Sequence, residues 1–238
     1  MRCIIIIMLA WLASSGLGAE AGSPKDFATA IPPIMANLRT AASYARTGNV
    51  ALAQMEIDEA LAAWKRLQDS VIALPPPYAP AALAEFLARD GERLAAVARA
   101  LDNGDTAAAG RELLALRRSF HELRRQAGLY DLGDCVFEIA PAMERLRVAA
   151  TRFGEQPASA RAEDTVAAAG AFRDRLQRCN DWASADVSGQ GEFRRLIDGA
   201  IASSGEIAHA AMAGDGPLVH RYLIELQSYA QLLDFRYG

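Results

Sequence analysis

Residues 133–147, GDCVFEIAPAMERLR, have a counterpart earlier in the chain, residues 25–39, KDFATAIPPIMANLR. At one constant offset Asp26 meets Asp134, Ile31 meets Ile139, Pro33 meets Pro141, Met35 meets Met143, Leu38 meets Leu146 and Arg39 meets Arg147. Further on, ARALDNGDTAAAGRELLAL matches AHAAMAGDGPLVHRYLIEL at an offset two residues longer. There Gly104-Asp105 meets Gly214-Asp215, Arg111 meets Arg221, Leu113 meets Leu223 and Leu116 meets Leu226. Between them Glu85-Phe86 lines up with Glu192-Phe193. Self-similarity at a fixed period marks a repeated structural unit, so the chain reads as two copies of one module, residues 25–128 and 133–238.

Each copy reads as four helices. In the first, helices are predicted to about Arg46, from about Val50 to Ser70, from about Ala81 to Asp102, and on to about Gln126. TGN and NGD separate them, and LPPPYAP interrupts them because proline lacks the helical donor and clashes with the preceding turn. Ala109, Leu113, Leu116, Phe120, Leu123 and Ala127 recur at alternating steps of four and three, the stripe of a bundle seam. Val219, Leu223, Leu226, Ala230, Leu233 and Tyr237 repeat it in the second copy, whose turns are GEQP and AGDGP and whose long connection is NDWASADVSGQG. No stretch alternates with period two, so no sheet is expected. The fold class is therefore all-α, two tandem antiparallel four-helix bundles arising from an internal duplication. The matched prolines, Pro33 and Pro141, either open the main helix at its first turn or kink a longer one. Their recurrence favours one shared local geometry.

The N-terminal stretch MRCIIIIMLAWLASSGLGAEAGSP has one basic residue, a short apolar run and a small-residue Ala19-Glu20-Ala21 site. This is the order of a secretory signal, assigned to residues 1–21. The run is short against the roughly 20 apolar residues of a membrane span, which leaves an uncleaved anchor as the alternative. Export places the protein in the periplasm if the source is Gram-negative. A formal charge of −4 gives no electrostatic footprint for nucleic acid or an anionic membrane. The arginine groups LRRSFHELRR and EFRRL read as solvated faces, with Arg117 and Arg118 interleaved with Glu112 and Glu122 as surface pairs.

Beyond the signal the cysteines are Cys135 and Cys179. An even count in an oxidising compartment favours a disulfide. Counted from the GEQP turn along two antiparallel helices, their heights differ by about 4.5 Å. The matching first-copy positions, Phe27 and Val71, are apolar, so both sites are expected on the seam. Closing the loop would contribute about 4 kcal/mol on the chain-entropy estimate. Two separately buried thiols, or a metal or redox pair, are the alternatives, although no Cys-x-x-Cys spacing is present.

An Ala-rich exported four-helix module with a methionine on its first helix and a long middle loop resembles the cytochrome c-prime and soluble b-type cytochrome fold. The likeness covers each half. Covalent haem attachment needs Cys-x-x-Cys-His, which neither Cys135 nor Cys179 begins. The b-type relatives grip haem with a Met on helix one and a His on helix four, which implies Met35 and His121 as haem b ligands here. His121 lies one step past seam residue Phe120 and is predicted on the bundle flank; its counterpart is Gln231, whereas Met143 is retained.

A second candidate is a divalent-metal site from Glu206 and His209, at i and i+3, with His220 at a similar height across AGDGP. His209 is about 200° round the helix from seam residue Ile207, hence on the solvent side. No G-x-S-x-G, H-E-x-x-H or phosphate-cradling glycine loop is present, so no catalytic residue is assigned. Trp64, matched by Phe172, reads as core. Trp182, in the long connection, reads as an interface residue or as packing over the bundle end. The function expected is a non-enzymatic exported binding or interaction protein for a protein or small ligand, with no cofactor. Haem b electron transfer and metal binding are the alternatives.

Overall fold

The apolar stripes become buried seams. In the computed structural model, which describes the backbone of residues 24–70 and 78–238 and the side chains of 30–69 and 78–238, ten helices follow in order among the described residues. They are α1 (Pro24–Arg46), α2 (Val50–Ser70), α3 (Pro80–Asp102), α4 (Thr106–Gln126), α5 (Leu132–Phe137), α6 (Ile139–Glu155), α7 (Ser159–Trp182), α8 (Ala185–Ser188), α9 (Gly191–Met212) and α10 (Gly216–Tyr237). No strand occurs among these residues. Helix α1 lies against α2 and α4, and α3 joins α2 to α4; α6, α7, α9 and α10 repeat that cycle. The core divides accordingly into two clusters, one drawn from α1–α4 and Tyr78, the other from α5–α10. The fold is all-α, with the bundles in tandem.

Leu113, Leu116 and Phe120 on α4 are fully buried, and so are Leu226 and Leu233 on α10; Ala127 and Tyr237, at the stripe ends, are half-buried. Trp64 meets Phe86 and Phe120 with ring centroids 5.5 and 5.8 Å away, and Phe172 fills the corresponding place in the second bundle. Tilted and edge-on ring pairs of this kind stabilise a core beyond the area they bury.

The clearest likeness between the copies is a turn. Gly104 and Gly214 take φ of 71° and 74°, a left-handed conformation that glycine adopts without a Cβ penalty. The next residues cap the following helices alike: Asp105 accepts from the Ala108 amide at 2.8 Å and Asp215 from the Leu218 amide at 2.9 Å. Such side chains satisfy amides that the first helical turn leaves unpaired.

The matched prolines, by contrast, do not share one geometry. Helix α1 runs continuously through Pro32 and Pro33. In the second copy the helix breaks at Glu138, and Pro141 sits in the first turn of α6, where its missing donor is harmless. The segment before the break is separately anchored. Asp131 and Asp134 form a reciprocal capping box at the start of α5, and Cys135 is disulfide-bonded to Cys179 on α7, with Cα atoms 5.4 Å apart. Both cysteines are fully buried, on the seam as expected. The control residues Phe27 and Val71, like the signal segment 1–21, lie outside the residues whose side chains are described. No described helix is long and apolar enough to cross a membrane. The long connection of the second copy is shorter than expected, because α7 continues to Trp182 and α8 occupies four of the residues that follow.

Candidate functional site between the bundles

One stripe round from the α4 seam stand Arg117, His121 and Arg124, at i, i+4 and i+7 and therefore on one helix face. That face meets the second bundle. Arg117, with 6% of its side chain exposed, donates to both oxygens of Asp234 on α10 at 2.9 and 2.5 Å, and its guanidinium lies over the Phe137 ring. His121 places Nδ1 3.0 Å from Asp134 and Nε2 3.2 Å from Glu138. Arg124 donates to Asp134 at 3.1 Å and to Asp131 at 2.5 Å. Glu138 also accepts from Arg175 and, at 3.1 Å, from the Tyr130 hydroxyl. Burial, then the neighbouring Glu138 carboxylate, pushes the Tyr130 phenol up to about 12.

The expectation that Arg117 sits on a solvated face with Glu112 and Glu122 is thereby corrected. The flank next to the seam is covered by α5 and α10, whose carboxylates take the place of water. Arg118 is exposed as expected, and Glu122 pairs with Arg125.

Beneath this network lies a cavity of about 410 Å³. Ile31, Pro32 and Met35 of α1, Phe137 of α5, Val187 of α8 and Tyr237 of α10 supply its apolar walls; Arg39, Arg117, His121 and Arg124, with Asp131 and Asp134, supply its charged or polar ones. Trp182 also lines it, half exposed, with its ring 4.9 Å from that of Tyr130.

A second cavity of about 340 Å³ lies between α1, α6 and α10. Ile139, Met143 and Arg147 line it from α6, and Gln227, Gln231 and Asp234 from α10. These are the counterparts, at the two sequence offsets, of Ile31, Met35, Arg39, Arg117, His121 and Arg124 in the first cavity. The duplicated positions thus line duplicated cavities along the junction of the bundles, and Arg39 borders both.

The two cavities differ in charge. Arg147 is held by Glu144 on its own helix through hydrogen bonds of 2.7 and 2.6 Å. The position matching Glu144 is Ala36. Arg39, half-buried, has no ion pair or hydrogen bond among the described residues, and its buried Nε is unsatisfied. Burial, and then the nearby Arg117 guanidinium, pull its pKa below the ordinary arginine value, with Asp234 opposing them. A guanidinium nonetheless stays charged.

Met35 and His121 do meet on the wall of one cavity. For the axial pair that the cytochrome resemblance implies, His121 would have to give up a carboxylate, because Nδ1 lies 3.0 Å from Asp134 and Nε2 3.2 Å from Glu138. Acidic groups on α5 and at Glu138 occupy the flank where such a ligand would need to be free. Glu206, His209 and His220 are all exposed on α9 and α10, and no group of three or more side chains suited to a metal ion occurs among the described residues. Ile207 takes the inward stripe of α9, which turns His209 outward.

Sequence reasoning missed Arg39, Arg124, Asp134 and Asp234 as partners across the bundle junction. One signal was present. Arg39 and Arg147 are a matched charged pair near the end of a segment whose other matches are mostly apolar or proline. No protein-family model, curated protein or solved structure matches the chain.

Proposed function

We propose that this is an exported, non-enzymatic binding protein whose small ligand occupies the cavity between the bundles bordered by Met35, Arg39 and Trp182. The observation that carries this reading is a half-buried guanidinium, Arg39, without an ion pair or hydrogen bond among the described residues, on the wall of a mainly apolar cavity. A cavity of about 410 Å³ falls within the range of small-molecule sites, which combine apolar walls with a few polar anchors. Two packed bundles offer such a cleft at their junction without exposing either core. The signal-like residues 1–21 and the Cys135–Cys179 bond support an exported location, periplasmic in a Gram-negative source.

Native mass spectrometry of the protein recovered from its own host tests the reading. A small molecule bound to the wild type and lost from Met35→Trp, whose larger ring fills the cavity, is the expected result, with circular dichroism showing that the variant keeps its helices. Equal occupancy in both proteins would move the ligand elsewhere. A Soret band on adding haem, abolished by His121→Ala, would restore the haem reading in its place.

A further inference from the structure

We infer that the polar end of this ligand is a single carboxylate gripped by Arg39, on an apolar body that fills the space between Met35, Phe137 and Tyr237. The inference rests on the cavity being a ligand site and adds the chemical class of what enters it.

The charges around the cavity decide the sign and the number. Asp234 is taken by Arg117, Asp131 by Arg124, Asp134 by Arg124 and His121, and Glu138 by His121, Arg175 and Tyr130. Among the described side chains that border the cavity, Arg39 is the cation left over. One guanidinium without a direct partner suits one negative charge. A dianion such as a phosphate monoester would bring its second charge towards Asp131, Asp134 and Asp234, whose oxygens already serve as acceptors. The planar fork of a guanidinium matches the two oxygens of a carboxylate. Such charge-assisted bonds are roughly twice as strong as neutral ones, and the low polarity of these walls strengthens them further.

The second cavity, which Arg39 also borders, differs in its other charges. Arg147 is neutralised by Glu144, and Gln227, Gln231 and Asp234 stand where the first cavity has Arg117, His121 and Arg124. Of the two matched arginines, Arg147 is thus paired and Arg39 is not.

The test uses the exported, oxidised protein and three probes of similar apolar body: 4-phenylbutyrate, its uncharged primary amide, and 3-phenylpropyl phosphate. Calorimetry gives the affinities, and Trp182 emission reports where they bind. The wild type is expected to prefer the carboxylate over the amide by about tenfold or more, and over 3-phenylpropyl phosphate as well. Arg39→Gln is expected to bring acid and amide to equal affinity while still binding the amide; Arg39→Lys, which keeps the charge without the fork, should recover part of the preference. Equal affinity of acid and amide for the wild type would overturn the inference and leave the cavity standing as a ligand site. Tighter binding of 3-phenylpropyl phosphate, or an undiminished acid preference in Arg39→Gln with native circular dichroism, would also overturn it. Failure of all three probes to bind would overturn the inference and the ligand-site reading together.

Discussion

The two halves set six matched positions around two cavities, yet they spend their charges differently. In the second half Arg147 folds back onto Glu144, and glutamines replace Arg117 and His121. In the first half Ala36 leaves Arg39 without that partner, while Arg117, His121 and Arg124 reach across to α5 and α10. The halves also differ in covalent support. The disulfide pins α5 to α7 in the second bundle, and the first has no cysteine pair. Duplication reproduces a backbone and its seams. The residues one stripe off the seam are left to diverge, and here that stripe carries the chemistry.

The largest break in the symmetry is the disulfide. Cys135→Ser/Cys179→Ser should destabilise the second bundle by about 4 kcal/mol, since the bond constrains the unfolded chain. Hydrogen exchange resolved by peptide should show α5–α7 losing protection while α3 and α4 change less. Uniform loss across both bundles would mean that they unfold as one unit.

A smaller and sharper change moves one charge. Ala36→Glu gives Arg39 the partner that Glu144 gives Arg147, three residues earlier on the same helix. The carboxylate preference of the first cavity should fall by about tenfold, while stability shifts by no more than about 0.5 kcal/mol, as for other exposed helix pairs. A preference that survives Ala36→Glu would show that the resemblance of the cavities does not extend to this pair.

The smallest effect is a pH dependence confined to the first half of the junction. The Tyr130 phenol titrates at about 12 in the folded protein, against an ordinary value near 10. A raised folded value means that the neutral phenol is favoured by folding. Its contribution is therefore complete below about pH 10 and is lost as pH rises through about 12. Burial raises Tyr78 and Tyr237 as well, so difference absorbance near 295 nm should assign the step near pH 12 to Tyr130 by its loss in Tyr130→Phe and its downward shift in Glu138→Gln. No change in Glu138→Gln would leave burial as its whole cause.

The seams, the turns and the disulfide were legible because each follows from local geometry. A 3.6-residue period writes the inner stripe directly into the order of Leu113, Leu116 and Phe120. Asp105 and Asp215 announce helix starts, and two cysteines at similar height on antiparallel helices can meet. The junction was not legible. Arg117 and His121 sit one step beyond the seam, where an arginine facing water and an arginine facing Asp234 look alike in sequence. Which flank becomes covered depends on how two finished bundles dock, and no period records that. The prolines fail for a related reason. Pro33 and Pro141 are the same residue at the same place, but in the second copy the Asp131–Asp134 capping box and the Cys135 bond fix α5 as a separate segment. The haem pair shows the same limit: Met35 and His121 do share a cavity, and no sign in the sequence marked the two carboxylates, Asp134 and Glu138, that meet the imidazole.

The docking of the two bundles through α1 and α4 on one side and α5 and α10 on the other underlies all of this, and a double-mutant cycle on Arg117 and Asp234 tests it most directly. With the guanidinium 6% exposed and the carboxylate 37% exposed, unfolding of wild type, Arg117→Met, Asp234→Asn and the double variant should give a coupling of about 2 kcal/mol, between the values of surface and fully buried pairs. Single-variant effects that simply add, to within about 0.3 kcal/mol, would show that these side chains do not meet in solution, and the cavity between the bundles would go with them.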